Sequence, residues 1–182
     1  RAMNRLVQGD VGSGKTAVAE AAMYKAVRGG CQAVMMAPTE ILAHQHFEGL
    51  RKSFAAHGIR VGFLSGSLKA SEKREILEQL KDGQIDILVG THAVIQPEVE
   101  FARLGLVITD EQHRFGVNQR IRLKEKGQNP NVLVMTATPI PRTLAVVLYG
   151  DLDVSVLDEM PPGRQVIKTR NVTGEKREAC YD

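Results

Sequence analysis

Short apolar runs rich in β-branched residues alternate along the chain with longer segments whose apolar positions recur every three to four residues. Residues 5–8, 33–37, 61–64, 85–89, 106–109 and 132–136 read as strands. Several of these runs show little polar alternation, as expected of parallel strands buried on both faces. Between them, residues 16–28 place Ala19, Ala22, Met23, Ala26 and Val27 on one helical face, and Gly29-Gly30 supplies the stop. Leu42, Phe47, Leu50 and Phe54 do the same for a second helix that ends at Gly58. Ile76, Leu77 and Leu80 mark a third over residues 71–80, followed by an Asp82-Gly83 turn. This alternation predicts an α/β fold, a three-layer domain around a central parallel sheet with right-handed crossovers.

Near Met160 the pattern breaks. Met160-Pro161-Pro162-Gly163-Arg164 suits neither helix nor strand and reads as a linker. Residues 166–172 then resemble a new strand and residues 174–182 the start of a helix. Residues 1–160 are therefore expected to form one domain, and residues 161–182 to lead into a second. Both ends of the chain are expected to be cuts through a larger protein.

The 182 residues suffice for one domain with a sizeable core. No apolar run approaches the roughly 18 residues of a membrane-spanning helix, and nothing at the N-terminus has the form of a signal peptide. The two cysteines, Cys31 and Cys180, lie far apart in sequence. That spacing fits neither a zinc site nor a disulfide framework, and a reduced, cytoplasmic protein is expected. A net charge of +3 permits a polyanionic partner without requiring one. Arg114, Arg120, Arg122, Lys124 and Lys126 cluster, either as a solvated helix face or as a modest salt-dependent contact to a polyanion. Trp is absent and aromatics make up 4% of the chain, so no stacking platform for single strands is visible.

Chemistry enters at the strand ends, where functional loops of such sheets collect. Gly9, Asp10, Val11, Gly12, Ser13, Gly14, Lys15 and Thr16 match G-x-x-x-x-G-K-[ST], directly after a strand and before a helix. Glycines let the backbone wrap closely and aim its N–H groups at phosphate oxygens, and the helix adds its positive N-terminal end. Lys15 is expected to reach the β- and γ-phosphates and Thr16 to ligate Mg²⁺. The run from Leu106 to Thr109 then delivers Asp110 to the same edge, where a carboxylate can hold Mg²⁺ through its water shell. Glu111 is placed to orient or deprotonate an attacking water, which favours hydrolysis over binding alone. His44, His46 and His57 read as helix-surface residues.

Asp110-Glu111-Gln112-His113 resembles motif II of superfamily 2 helicases. Ala37-Pro38-Thr39-Glu40-Ile41-Leu42-Ala43 is similar to motif Ia, Gly90-Thr91-His92 to motif Ib, and Thr136-Ala137-Thr138-Pro139 to motif III. Along residues 110–117 and 136–144 the resemblance narrows to the RecG-type helicases of branched DNA and the Mfd-type transcription-repair translocases. Gln112 before His113, Glu40 in motif Ia and the sequence of residues 149–164 favour the RecG type.

The resemblance implies a RecA-like P-loop motor domain that uses ATP and Mg²⁺, with Lys15, Asp110, Glu111 and His113 in catalysis. It implies that Pro38, Thr39, Glu40, Thr91 and His92 line a DNA-facing side. His113 would link Glu111 to Thr136 and Thr138, and Arg142 is assigned to the same DNA-facing side. The implied partners are branched duplex DNA, met mainly at its phosphates, and a second RecA-like domain and a wedge domain of the same protein. The implied state is a monomer in the bacterial cytoplasm, associated with the nucleoid and not with membrane. Without its partner domain the chain is expected to bind nucleotide, hydrolyse it poorly and unwind nothing. The alternatives are an Mfd-type motor and a nucleotide-binding switch without hydrolysis.

Overall fold

In a computed structural model of the chain, residues 2–110, 122–138 and 152–159 are described. Strands β1 (Asn4–Gly9), β2 (Gln32–Met36), β3 (Val61–Leu64), β4 (Ile87–Gly90), β5 (Leu104–Thr109), β6 (Asn131–Thr136) and β7 (Asp153–Leu157) form one sheet in the order β3-β4-β2-β5-β6-β1-β7. All six pairings are parallel. Helices α1 (Lys15–Arg28), α2 (Glu40–Phe54) and α3 (Ala70–Lys81) fill crossovers, and Ala55–His57 and His92–Ile95 form single 3-10 turns. No described helix is long and apolar enough to cross a membrane.

The central strands explain their own burial. Every residue of β2 and β4 is buried, because helices cover both faces of the sheet. Side chains that alternate along a strand divide between two cores. Val7, Ala33, Met35, Ile87, Val89, Ile108, Leu133 and Met135 meet Ala19 and Met23 of α1 and Leu50 and Phe54 of α2. Leu6, Val34, Met36, Leu88, Val107, Val132 and Val134 meet Leu80 of α3, Val94 and Leu123. The period-two pattern of each strand is thereby converted into two apolar layers.

The edges of the elements differ slightly from the sequence reading. β5 starts at Leu104, earlier than expected, and its pairing with β2 shifts register between Gln32 and Ala33. β7 was not foreseen. It is a five-residue edge strand whose Val156 is largely exposed, so burial leaves little apolar signature in its sequence. It is tied to β1 by side chains as well as backbone: Arg5 Nη1 donates to Ser155 Oγ at 2.6 Å, and Arg5 lies 3.6 Å from Asp153. The linker at 160–164 and the strand and helix expected after it lie outside the described residues.

One buried polar side chain joins three segments at the amino edge of the sheet. Gln32 is 5% exposed. Its Nε2 donates to the carbonyls of Leu80 and Ile85, each at 2.8 Å, and its Oε1 accepts from the Arg103 N–H at 2.9 Å. The end of α3, the approach to β4 and the start of β5 are thus pinned to β2. Replacing Gln32 with Leu leaves the Leu80 carbonyl its bond from the Gly83 N–H at 3.2 Å, but takes from the Ile85 carbonyl and the Arg103 N–H a partner whose loss costs about 1–3 kcal/mol each when the group is buried unpaired. Q32L is therefore expected to lower unfolding free energy by roughly 3 kcal/mol, read as a lower urea midpoint; an unchanged midpoint would contradict the pinning role.

Candidate nucleotide site and nucleic-acid face

The carboxyl edge of the sheet gathers nearly all the residues singled out by their chemistry. Across the strand order, the loop after β3 comes first, then Thr91 and His92 after β4 and Pro38, Thr39 and Glu40 after β2. Asp110 after β5, Thr136 at the end of β6 with Thr138 just beyond it, and the glycine loop after β1 complete the row. Neighbouring strands stand about 4.8 Å apart, so Asp110 and the glycine loop, with β6 between them, are separated by roughly 10 Å. That gap is the scale of a nucleotide's terminal phosphates with a cation beside them.

The glycine loop leaves β1 at Gly9 and enters α1 at Lys15. Gly12 and Gly14 have φ of 80° and 95°, a left-handed conformation that glycine adopts without steric cost. Gly9 is needed for a different reason: a β-carbon there would fall on Ser13 Oγ and lie 2.9 Å from the Leu157 side chain. The first turn of α1 has no side-chain cap and no acidic residue, so its N–H groups and positive end are left to an outside anion. Ser13 Oγ is also buried without a hydrogen-bond partner among the described residues. The loop's residues therefore fit a phosphate group. Lys15 Nζ donates to the carbonyls of Gly9 at 2.6 Å and Asp10 at 2.8 Å, which draws the ammonium across the root of the loop. Thr16 is exposed one residue further on, and Val11 at the loop's tip is 74% exposed.

Asp110 is held firmly. Its N–H donates to the Met36 carbonyl at 3.0 Å, continuing the β2–β5 ladder one residue beyond the strand. Its Oδ2 lies 2.7 Å from His46 Nε2, with the two side chains 13% and 14% exposed. His46 is thus not the helix-surface residue expected from sequence. It stands three residues after Ala43 and four before Leu50, both buried, and so falls on the core-facing stripe of α2. A polar residue on that stripe was the available signal. His44 is exposed and packs edge-on against Phe47 and Phe63, and His57 likewise against Tyr24.

Thr136 ends β6 between Asp110 and the glycine loop, with Gln8 opposite it. It is 1% exposed, and its Oγ1 accepts from the Thr138 N–H at 3.2 Å and pairs with Thr138 Oγ1 at 2.9 Å. The two hydroxyls fold the chain back in a short side-chain turn.

On the other flank, Thr39 caps α2, its Oγ1 accepting from the Leu42 N–H at 3.3 Å. The Glu40 carboxylate accepts from Ser65 Oγ at 3.1 Å and also from Ser67 Oγ. Glu40 therefore ties the loop after β3 to the start of α2. The Ser65-Gly66-Ser67 loop was not singled out in the sequence. Gly90 lets β4 and its loop approach β3: a β-carbon would strike the Leu64 carbonyl and sit 2.7 Å from Val94.

Glu111, His113 and Arg142 lie outside the described residues, as do Arg114 and Arg120 of the basic cluster. Arg122 and Lys124 are exposed. Lys126 Nζ is committed inside the chain, donating to the carbonyls of Gln96 at 2.7 Å and Val99 at 2.9 Å. Burial pushes its ammonium below the usual lysine range, against the pull of Glu98 and Glu100. Among the described residues no group of three or more His, Cys, Asp or Glu is arranged to hold a metal by itself. A cation at this edge would depend on phosphate oxygens together with Thr16 and Asp110.

Residues 1–147 match the DEAD/DEAH box helicase family. The chain is 61% identical over 174 residues to the ATP-dependent DNA helicase RecG of Streptococcus pneumoniae, covering 96% of this chain and 26% of that protein. A solved structure of RecG bound to a three-way DNA junction superposes with a TM-score of 0.85 and 49% identity, over 100% of this chain and 24% of that one. The Pyrococcus furiosus Hef helicase domain shares the fold, with a TM-score of 0.66 and 22% identity over 86% of this chain and 35% of that one. The chain thus spans about a quarter of the length of the RecG proteins it matches.

Replacing Gly9 with Ala forces Ser13 and the Leu157 side chain of β7 away from the root of the glycine loop. The expected result is a loss of more than about tenfold in ADP affinity, or 1.4 kcal/mol, by fluorescence titration of a folded variant. Retention of full affinity would show that the close approach at Gly9 is not required.

Proposed function

The chain belongs to the DEAD/DEAH box helicase family, and from that premise we propose that it is the first RecA-like motor domain of a RecG-type, ATP-dependent DNA helicase that remodels branched duplex DNA. In this reading, residues 1–160 are the motor domain and residues 161–182 lead into a second RecA-like domain. One observation carries the proposal. A phosphate-fitting loop, a fixed carboxylate two strands away and a polar row further along share one sheet edge. The relatives named as ATP-dependent DNA helicases, and the similar structure of RecG on a three-way junction, support the choice of reaction and substrate.

The loop N–H groups from Gly12 to Thr16 and the positive end of α1 would receive the β- and γ-phosphates of ATP. Lys15 would exchange its contacts with the loop carbonyls for phosphate oxygens, moving its charge to where charge builds up on the leaving group. The Thr16 hydroxyl and, through water, the Asp110 carboxylate would hold Mg²⁺. That ion, when bound, neutralises phosphate charge. Glu111 would accept a proton from the attacking water, and His113 would relay the state of the site to Thr136 and Thr138. Pro38, Thr39, Thr91, His92 and Arg142 would meet DNA phosphates without reading bases, with Glu40 bracing the row. Further partners in this reading are the second RecA-like domain and a wedge domain of the same protein. The protein would act as a monomer in the bacterial cytoplasm, at the nucleoid and away from membranes. In this reading the second RecA-like domain would supply an arginine finger, a group worth about 10³–10⁵ in turnover in related NTPases, and the chain by itself would bind nucleotide but hydrolyse it poorly.

Two outcomes test the proposal in the full-length protein. Glu111→Gln is expected to retain ATP binding and to lose ATP turnover by about 10²–10⁴-fold, the usual worth of a general base; unchanged turnover would remove Glu111 from catalysis. Replacing both Thr136 and Thr138 with Ala is expected to spare ATP binding and to reduce unwinding of a three-way junction more than ATPase. Unwinding and ATPase falling in strict proportion would contradict the coupling role.

A further inference from the structure

We propose that His46 is a positioning residue for the metal-holding carboxylate of Asp110, an inference that rests on the Mg-nucleotide reading of this sheet edge. The two residues are 64 apart in sequence, and their side chains meet at 2.7 Å. An ionised carboxylate can only accept, so His46 Nε2 is the donor. The charge on the acceptor makes the contact charge-assisted, and it fixes Oδ2 and with it the plane of the carboxylate.

Burial makes the contact matter. With 14% and 13% of their side chains exposed, neither group is extensively solvated, so water compensates only in part for a lost partner. The donor is also rigidly mounted. Ala43 and Leu50, a turn to either side of His46, are buried at 0% and 1%, and Phe54 anchors the end of α2 at 4%. The acceptor's backbone is fixed as well, through the Asp110 N–H to the Met36 carbonyl. A carboxylate that acts on a hydrated cation must present its oxygen in a narrow range of directions, because Mg²⁺ demands near-octahedral geometry. Partners that orient such ligands typically contribute about 10–100-fold in metal affinity.

The test measures how strongly Mg²⁺ promotes binding of a fluorescent ADP, by titrating the nucleotide in EDTA and again in excess Mg²⁺. Four variants are compared with the unaltered chain: His46→Ala, His46→Leu, His46→Gln and Lys15→Ala. The His46→Leu side chain fills the space without a donor, while His46→Gln keeps an N–H donor. Thermal unfolding confirms that each variant is folded. The expected result is that His46→Ala and His46→Leu leave metal-free ADP affinity unchanged and lower the Mg²⁺ enhancement by about tenfold. His46→Gln should recover most of it.

A merely structural role would weaken both titrations alike and would not be rescued by His46→Gln. An unchanged Mg²⁺ enhancement in His46→Leu overturns the inference, as does an unaltered chain whose ADP binding is indifferent to Mg²⁺. Should His46→Ala fail to fold, the comparison of His46→Leu with His46→Gln decides. Failure of the underlying reading has a different signature: Lys15→Ala would then bind ADP as tightly as the unaltered chain.

Discussion

The parallel ladder that sets β5 between β2 and β6 fixes the spacing on which the rest of the site depends. Its register runs from Leu106 opposite Asn131 to Thr109 opposite Val134 on one side, and to Thr109 opposite Met36 on the other. Parallel strands end at a common edge, so this ladder carries Asp110 to the same edge as the loop after β1. Burial of Val107 in one core and Ile108 in the other makes a slip of one residue costly, since it would exchange the two layers. The distance between carboxylate and glycine loop is therefore set by core packing, well away from either.

Polar side chains then adjust what the ladder has placed. Gln32 holds the amino edge together through three backbone partners, and Glu40 joins two loops at the carboxyl edge. His46 brings α2 against Asp110. Gln32 is buried and His46 half-buried, each with partners, the arrangement in which a polar side chain specifies geometry rather than weakening the core; Glu40 is exposed but held by two serines. The glycine loop is the contrast. Its helix terminus has no cap and its buried Ser13 hydroxyl no partner among the described residues, so its polar groups are kept for something outside the chain.

Much of this was legible in the sequence because it follows from short-range rules. Six of the seven described strands were marked by apolar runs, and α1 and α3 by their spacing and stops at Gly29 and Asp82-Gly83. The glycine loop and the run to Asp110 could be read because strand, loop and helix contexts agreed with the chemistry. What could not be read depends on tertiary packing. Among the described residues β7 pairs on one side only and keeps Val156 exposed, so its alternation is weak. His46 meets a residue 64 positions away, and its one local sign, a polar residue on the apolar stripe of α2, does not reveal that partner. Lys126 looked like one of a row of surface charges, yet it is spent on two carbonyls. Local charge statistics do not record which ammonium has turned inward.

The central claim is that the glycine loop and Asp110 form one nucleotide site, and calorimetric titration of the chain with Mg-ADP tests it most directly. Lys15→Ala and Asp110→Ala serve as controls, with folding verified by thermal unfolding. The account predicts saturable one-to-one binding that Lys15→Ala abolishes and Asp110→Ala weakens in the presence of Mg²⁺. Binding by the unaltered chain that survives Lys15→Ala undiminished would contradict it, because the nucleotide would then be held somewhere other than this sheet edge.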